Sequence, residues 1–406
     1  MANEAPSLVV LCLLALVVAE DMAFVGTAAN GSLVLQASHG QHVLVEGVAF
    51  RSLVDRLEVV ERQLASNQCR VVADLSAISV LNSGNAWVGG VSANDGKIYG
   101  IPYQSTSVIV VDPKTNTWEL LAANLNGQYK WNGAVQADNG LIYGIPYQST
   151  SVLLINPAAG TVDTTTITGL SGLGTDKWAG GVLGLDAKLY GIPYTATSVL
   201  IIDPATNAVD VTAIAGLTPG NGKWNGGAVA GNGRIYGAPF DSASVLIVNP
   251  ATNTTDTTSI AGFAGGNKWL GAVLAGKGKI YCIPFHATSV LIIDPMTNTA
   301  DTTSITDLLG ASKWTGGVLA RNGKIYGIPR HSTALLVVDP STDTADTSIA
   351  IPDAGFSKWS GGVLAANGQI YAIPLDSKSV LVVKKIAPPS CRYQRWLWVR
   401  MYPNIN

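Results

Sequence analysis

Charge is scarce in this chain of 406 residues: Asp, Glu, Lys and Arg together make up 13% of it, against about a quarter in an ordinary globular domain. The net charge is −2, and no block of like charges appears before the C-terminal tail. A chain held on nucleic acid or an anionic membrane by its overall field is therefore excluded, and no nucleic-acid partner is expected. Cysteine is rare too. Cys12, Cys69, Cys282 and Cys391 are the only four and none forms a C-x-x-C pair, which excludes a zinc ribbon or thioredoxin-type site. There is no nucleophile elbow, phosphate-binding loop, H-E-x-x-H helix or EF-hand, so neither cofactor nor metal is expected. The longest apolar run, Leu8 to Ala19, has twelve residues, too short to span a bilayer comfortably. Sustained helical periodicity is missing, which excludes a helical solenoid.

What the chain has in quantity is glycine, at 44 residues, within a hydrophobic content of 47%. It also has a repeat. Trp recurs at 87, 131, 178, 224, 269, 314 and 359, and Tyr follows each at 99, 143, 190, 236, 281, 326 and 371. Asp-Pro or Asn-Pro then begins at 112, 156, 203, 249, 294 and 339. A period of about 45 residues marks an array of supersecondary units. Each unit reads as four strands. W-x-G-G-V-L-A leads through an x-N-G hairpin turn to K-I-Y-G-I, which Pro ends because it cannot donate to a ladder. S-V-L-I-I is apolar on both faces, and the Thr-rich, polar T-x-D-T-T-S-I suits an exposed outer edge, with Asp163, Asp210, Asp256, Asp301 and Asp346 as edge protection. Small residues inside and polar residues outside fit blades crowding round an axis. The fold expected is all-β: a seven-bladed β-propeller of four-stranded antiparallel blades.

The seventh unit has only three strands after Trp359, and Lys384-Lys385 stands where Asp-Pro is expected. The missing strand lies upstream of the first Trp. Asp74 to Ile78 aligns with Asp301 to Ile305, each Ile nine residues before its Trp. An N-terminal strand therefore completes the last blade and closes the ring. Cys69 enters that strand and Cys391 leaves its partner, so a Cys69–Cys391 disulfide is expected, with two unpaired thiols as the alternative. Cys282 replaces a repeat glycine and reads as a small core residue.

Gly96-Lys97-Ile98-Tyr99 followed by Val111-Asp112-Pro113-Lys114-Thr115-Asn116-Thr117-Trp118 resembles the Kelch repeat. The likeness covers about 300 residues at the level of pattern. It departs in one main feature: Kelch units carry their Gly pair at the end of the second strand, where this chain has Ile-Pro, and this chain's Gly pair lies in the first strand. The resemblance implies a propeller with binding roles.

Two loops of each blade share one face of a propeller. Here they carry Pro-x-x-Ser-Thr and Lys-Trp, with Lys at 130, 177, 223, 268, 313 and 358. These lysines and tryptophans either ring the channel mouth as a ligand site or serve as scaffold, Trp between blades and Lys over it. Residues repeated in every blade favour scaffold. The position two after the Pro breaks the symmetry: Gln104, Gln148, Thr195, Asp241, His286, His331 and Asp376. The residue before it varies as well, as Tyr103, Tyr147, Tyr194, Phe240, Phe285, Arg330 and Leu375. The candidate ligand-binding residues are thus Asp241, His286, His331, Asp376, Arg330, Gln104 and Gln148. Neighbouring positions of this kind stand about 10 Å apart, a spacing for a shared ligand rather than one metal ion.

The flanks read separately. Residues 1–19 resemble a secretory signal ending at Val17-Val18-Ala19, although Glu4 and the absence of Lys or Arg before the run depart from the pattern; a signal anchor is the alternative. Residues 20–67 form a stem with short strands at Gly31 to Leu35 and Val43 to Val45. There Leu53, Leu57, Val60 and Leu64 make a coiled-coil-like seam, so residues 51–64 are a candidate homo-oligomer contact. The propeller takes residues 68–385. The tail, 386–406, combines Arg392, Arg395 and Arg400 with Trp396, Trp398 and Tyr393; it and the N-terminal apolar segment are the candidates for membrane contact, with a partner-binding or a disordered end as the alternatives for the tail. Asn30 and Asn253 begin sequons. The function expected is a non-catalytic, secreted or surface-displayed platform binding protein or glycan. The alternatives are a lyase or hydrolase using the His/Asp arc, and a purely structural surface component.

Overall fold

The computed structural model describes residues 22–27, 32–37, 42–49, 70–80, 84, 86–122, 124–353 and 355–386. The expected signal, the Leu53–Leu64 seam, the Cys69–Cys391 disulfide and the C-terminal tail lie outside the described residues. The chain divides into two units, Met1–Arg70 with Ile386–Asn406, and Val71–Lys385. The first unit contains a three-stranded antiparallel sheet of Met22–Thr27, Ser32–Ala37 and His42–Ala49, with the middle strand paired to both others.

The second unit is a seven-bladed β-propeller of four-stranded antiparallel blades. Blade 1 runs from the axis outward as Trp87–Ser92, Ile98–Pro102, Ser107–Asp112 and Thr117–Ala122. Blades 2 to 7 begin at Trp131, Trp178, Trp224, Trp269, Trp314 and Trp359. The last blade orders Trp359–Leu364, Ile370–Pro374, Ser379–Ile386 and then Arg70–Ser79, so the strand N-terminal to blade 1 closes the ring. Val80 N–H donates to Lys378 O at 2.8 Å, and Lys384 pairs with Asp74, which explains why Lys replaces the turn residues there.

One expectation changes. In blades 2 to 6 the outer strand has only three residues, as in Thr161–Asp163 and Thr299–Asp301. The aspartate ends it by accepting the backbone N–H two residues on: Asp163 takes Thr165 at 2.6 Å, and Asp301 takes Thr303 at 2.7 Å. An Asx turn satisfies the backbone locally and competes with the ladder. Blade 1 lacks this aspartate, and its outer strand runs six residues.

The core is divided into seven wedges, one between each pair of blades. Ile101, Val108 and Val110 of blade 1 pack with Trp131, Ile142 and Leu153 of blade 2, and the last wedge joins Tyr371, Ile373 and Val382 to Trp87, Ile98 and Ile109. Nearest the axis the blades meet glycine to glycine. The first glycine after each Trp has positive φ, and a Cβ built on it would lie 2.7–3.7 Å from the Cα of the next blade's glycine, from Gly89 round to Gly361 and back to Gly89. At Gly226 and Gly271 the approach, 2.9 and 2.7 Å, leaves no room for a Cβ, and the positive φ favours glycine at all seven positions. The repeated tyrosines latch blades on the far side. Tyr143 Oη contacts Asn207 Oδ1 at 3.2 Å, Tyr236 Oη contacts Asn298 Oδ1 at 2.9 Å, and Tyr371 Oη contacts Asn116 Oδ1 at 3.3 Å across the closure.

Candidate functional site

The Trp-Lys pairs prove to be scaffold. Each of the seven tryptophans is buried, and its Nε1–H donates to a backbone carbonyl of its own blade, for instance Trp178 to Ser198 O at 2.8 Å. The six lysines are buried as well, with Lys177 wholly enclosed. Their ammonium groups donate to loop carbonyls: Lys177 Nζ to Tyr147 O at 3.1 Å and Ser149 O at 2.9 Å, Lys313 Nζ to Phe285 O, Ala287 O and Gly310 O. Burial pushes Lys130, Lys177, Lys223 and Lys313 down to about 8. A ring of solvent-facing lysines at the mouth is therefore ruled out; the cations cross-link blades.

The side chains one residue beyond the Ile-Pro line the mouth more tightly: Tyr147, Phe240, Phe285 and Leu375 are buried, and Tyr103, Tyr194 and Arg330 are half-buried. Backbone bonding holds this position rigid. Tyr147 N–H donates to Lys130 O at 2.9 Å within its blade, and Tyr147 O accepts Lys177 N–H at 2.9 Å from the next. The pattern repeats in every blade and closes where Leu375 O accepts Ala86 N–H at 3.0 Å. On that frame the rings form a continuous belt. Centroids lie 5.9 Å apart for Tyr103 and Tyr147, 5.5 Å for Tyr147 and Tyr194, 6.0 Å for Tyr194 and Phe240, and 5.6 Å for Phe240 and Phe285. All are tilted pairs, a favourable aromatic geometry. A regular seven-sided ring with such sides has a radius of about 6.5 Å, so the mouth is narrow.

Blade 6 interrupts the belt with Arg330. Its guanidinium carbon lies 5.6 Å from the Phe285 ring centroid. Its Nε is buried with no hydrogen-bond partner, and Arg330 enters no ion pair among the described residues. Burial lowers its affinity for its proton, while Tyr103 across the mouth and Asp376 favour the cation. Desolvation raises Tyr103 and Tyr147 well above the ordinary phenol range, so both stay protonated donors.

The symmetry-breaking arc sits just outside the belt. Its side chains turn towards the inter-blade loops. Gln148 Nε2 donates to Asp176 Oδ1 at 2.7 Å, Asp241 Oδ1 accepts Asn267 N–H at 2.6 Å, His286 Nε2 meets Ser312 Oγ at 3.1 Å, and His331 Nε2 meets Ser357 Oγ at 3.3 Å. Gln104 is half-buried, its N–H donating to Ala86 O at 3.2 Å; Asp376 is exposed, with Ser357 O accepting its N–H at 3.1 Å. His331 also meets Phe356 edge-on at 5.1 Å, and Phe356 is 76% exposed. Burial and then Lys313 lower His286; burial and then Arg330 lower His331; both imidazoles are neutral at pH 7. Among the described residues no three His, Cys, Asp or Glu side chains are grouped to hold a metal ion. The belt aromatics were not among the sequence candidates. Their signal was an aromatic at one fixed offset in five of seven units, beside a polar neighbour that drew attention instead.

No family model matches the chain, and no curated protein matches it. Solved structures do. A catalytically inactive virginiamycin B lyase from Staphylococcus aureus with quinupristin is similar at TM-score 0.63 and 8% identity, over 78% of this chain and all of that one. The extracellular domain of the putative hybrid two component system BT3049 from B. thetaiotaomicron gives 0.58 at 9% identity, over 79% of this chain and 42% of that one. Hydrazine synthase from Kuenenia stuttgartiensis gives 0.58 at 13% identity, over 76% and 98%. At these identities the likeness is one of propeller fold.

Proposed function

We propose that this propeller is a non-catalytic binding platform, secreted or displayed on the cell surface, whose ligand, a glycan or a protein, seats on the channel-mouth face. The observation that carries this reading is the belt from Tyr103 to Phe285, broken by Arg330 and framed by rigid backbone bonding. Aromatic faces and polar groups converging on a pre-formed frame are the usual make-up of a recognition site. The Kelch-like resemblance of blade 1 supports a binding role. An extracellular domain among similar folds accords with display outside the cell, and among the described residues no helix is long and apolar enough to cross a membrane. The test is to probe glycan and protein arrays with the full chain, alongside His286→Ala/His331→Ala and Arg330→Phe. Binding reduced by a mouth variant supports the reading; a folded chain that binds nothing on either array removes it.

A second reading, hydrolysis or elimination at the arc, has one observation in its favour: His286 and His331 are each hydrogen-bonded to a serine and are neutral, as a general base must be. The serines have positive φ, 51° at Ser312 and 49° at Ser357, but so do Tyr129, Asp176 and Asn267 at the same loop position. The strain therefore belongs to the repeat, which favours binding over catalysis.

A further inference from the structure

Beyond the mouth belt the propeller carries three further features: the buried free Cys282, the glycine ring, and the exposed apolar side chains. Cys282 is enclosed, and burial raises its thiol far above the reactive range. The glycine ring is backbone packed on backbone. The exposed large apolar residues among those described, Leu120, Leu173, Leu185, Met296, Leu309 and Phe356, are scattered along the chain.

The strongest signal is the blade-6 sector. In the other blades the belt position carries Tyr, Phe or Leu; in blade 6 alone it carries a cation. A buried guanidinium N–H with no acceptor is costly, and Arg330 Nε is in that state. The guanidinium carbon sits over Phe285, Nε is enclosed, and the two terminal nitrogens have no acceptor among the described residues. Those two terminal nitrogens make an end-on fork that a carboxylate fills in bidentate fashion. The surroundings suit a sugar. Phe356 presents an exposed ring beside His331, the chain neighbour of Arg330.

We infer that Arg330, with His331 and Phe356, forms a carboxylate subsite for an acidic glycan, the guanidinium fork taking the carboxylate of a uronate residue and Phe356 stacking on its pyranose ring. This rests on the mouth being the binding face. The probe is trigalacturonate, compared with the same oligosaccharide after its carboxyl groups are reduced to alcohols, by titration calorimetry with the full chain. The informative variant is Arg330→Phe, since Phe is native at this position in blades 4 and 5 and should fold; Arg330→Lys keeps the charge and loses the fork. Expected are loss of at least about tenfold in affinity on carboxyl reduction, a similar loss for Arg330→Phe, and a partial loss for Arg330→Lys. A thermal unfolding midpoint matching the parent shows that Arg330→Phe is folded. Equal binding of acidic and reduced oligosaccharide, an unaffected Arg330→Phe, or binding of poly-glutamate but not of trigalacturonate each overturns the inference. If glycans or proteins on the arrays still bind in those cases, the platform reading stands without it; if nothing binds, that reading falls first.

Discussion

Replacing Gly271 by Ala should open the propeller at its axis, and the structure supplies a control for each contribution. Gly271 has φ +83°, and its added Cβ would stand 2.7 Å from Gly316 Cα and 3.4 Å from Gly316 N. Both are backbone atoms in a ring where every blade is already in contact, so they cannot step aside singly. A positive φ costs an L residue about 1–2 kcal/mol, and forcing extra volume into a packed site costs about 1–3 kcal/mol. The expected loss is about 2–5 kcal/mol. Gly316→Ala has φ +67° but meets Gly361 Cα only at 3.7 Å, an ordinary contact, and Gly96→Ala has φ +83° with nothing within 4 Å. Both should lose only the conformational part. Urea unfolding followed by tryptophan fluorescence measures all three, because each blade carries a buried Trp against its neighbour. Gly271→Ala no less stable than Gly316→Ala would refute the idea that the axis is closed by glycine backbone.

Three further outcomes are expected. Lys177→Met strands the Ser149 carbonyl and takes one of two donors from the Tyr147 carbonyl, and should lower stability by about 1–3 kcal/mol in the same urea assay; an unchanged midpoint would show that the ammonium is not a cross-link. Lys384, and after it Ser76, hold Asp74 at about 2, below its ordinary 3.8, so the pair stabilises the native state above pH 3.8 and stops doing so as pH falls through 2. Asp74→Asn should be less stable than the parent at pH 7, modestly because the pair is partly exposed, and equal to it near pH 2; a gap that does not depend on pH would sink the ion-pair account. Finally, His286 and His331, neutral at pH 7, gain charge on acidification beside Arg330, Lys313, Lys358 and Asp241. Trigalacturonate should bind more tightly at pH 5.5 than at pH 7.5, and affinity that is flat or falls over that range would separate the imidazoles from the ligand.

The local chemistry of the repeat was enough to specify the propeller. Trp, Gly-Gly, Asn-Gly, Ile-Pro and Asp-Pro each dictate a strand, an approach or a turn within a few residues, and seven copies count the blades. Even closure was legible, because Asp74 to Ile78 carries the outer-strand pattern out of its place. Only the tertiary structure could decide what faces the mouth. A lysine beside a tryptophan reads alike whether its ammonium meets solvent or a carbonyl of the preceding blade, and that carbonyl lies 28–30 residues away in the case of Lys177. The His/Asp arc read as a convergent set, yet Gln148, Asp241, His286 and His331 turn to the loops beside them, where Asp176, Asn267, Ser312 and Ser357, each just before a Lys, offer a polar partner at hydrogen-bond range. The belt from Tyr103 to Phe285 joins side chains 44–47 residues apart in sequence. They become neighbours only because the blades stack round an axis, and Arg330 becomes distinctive only once that circle is drawn.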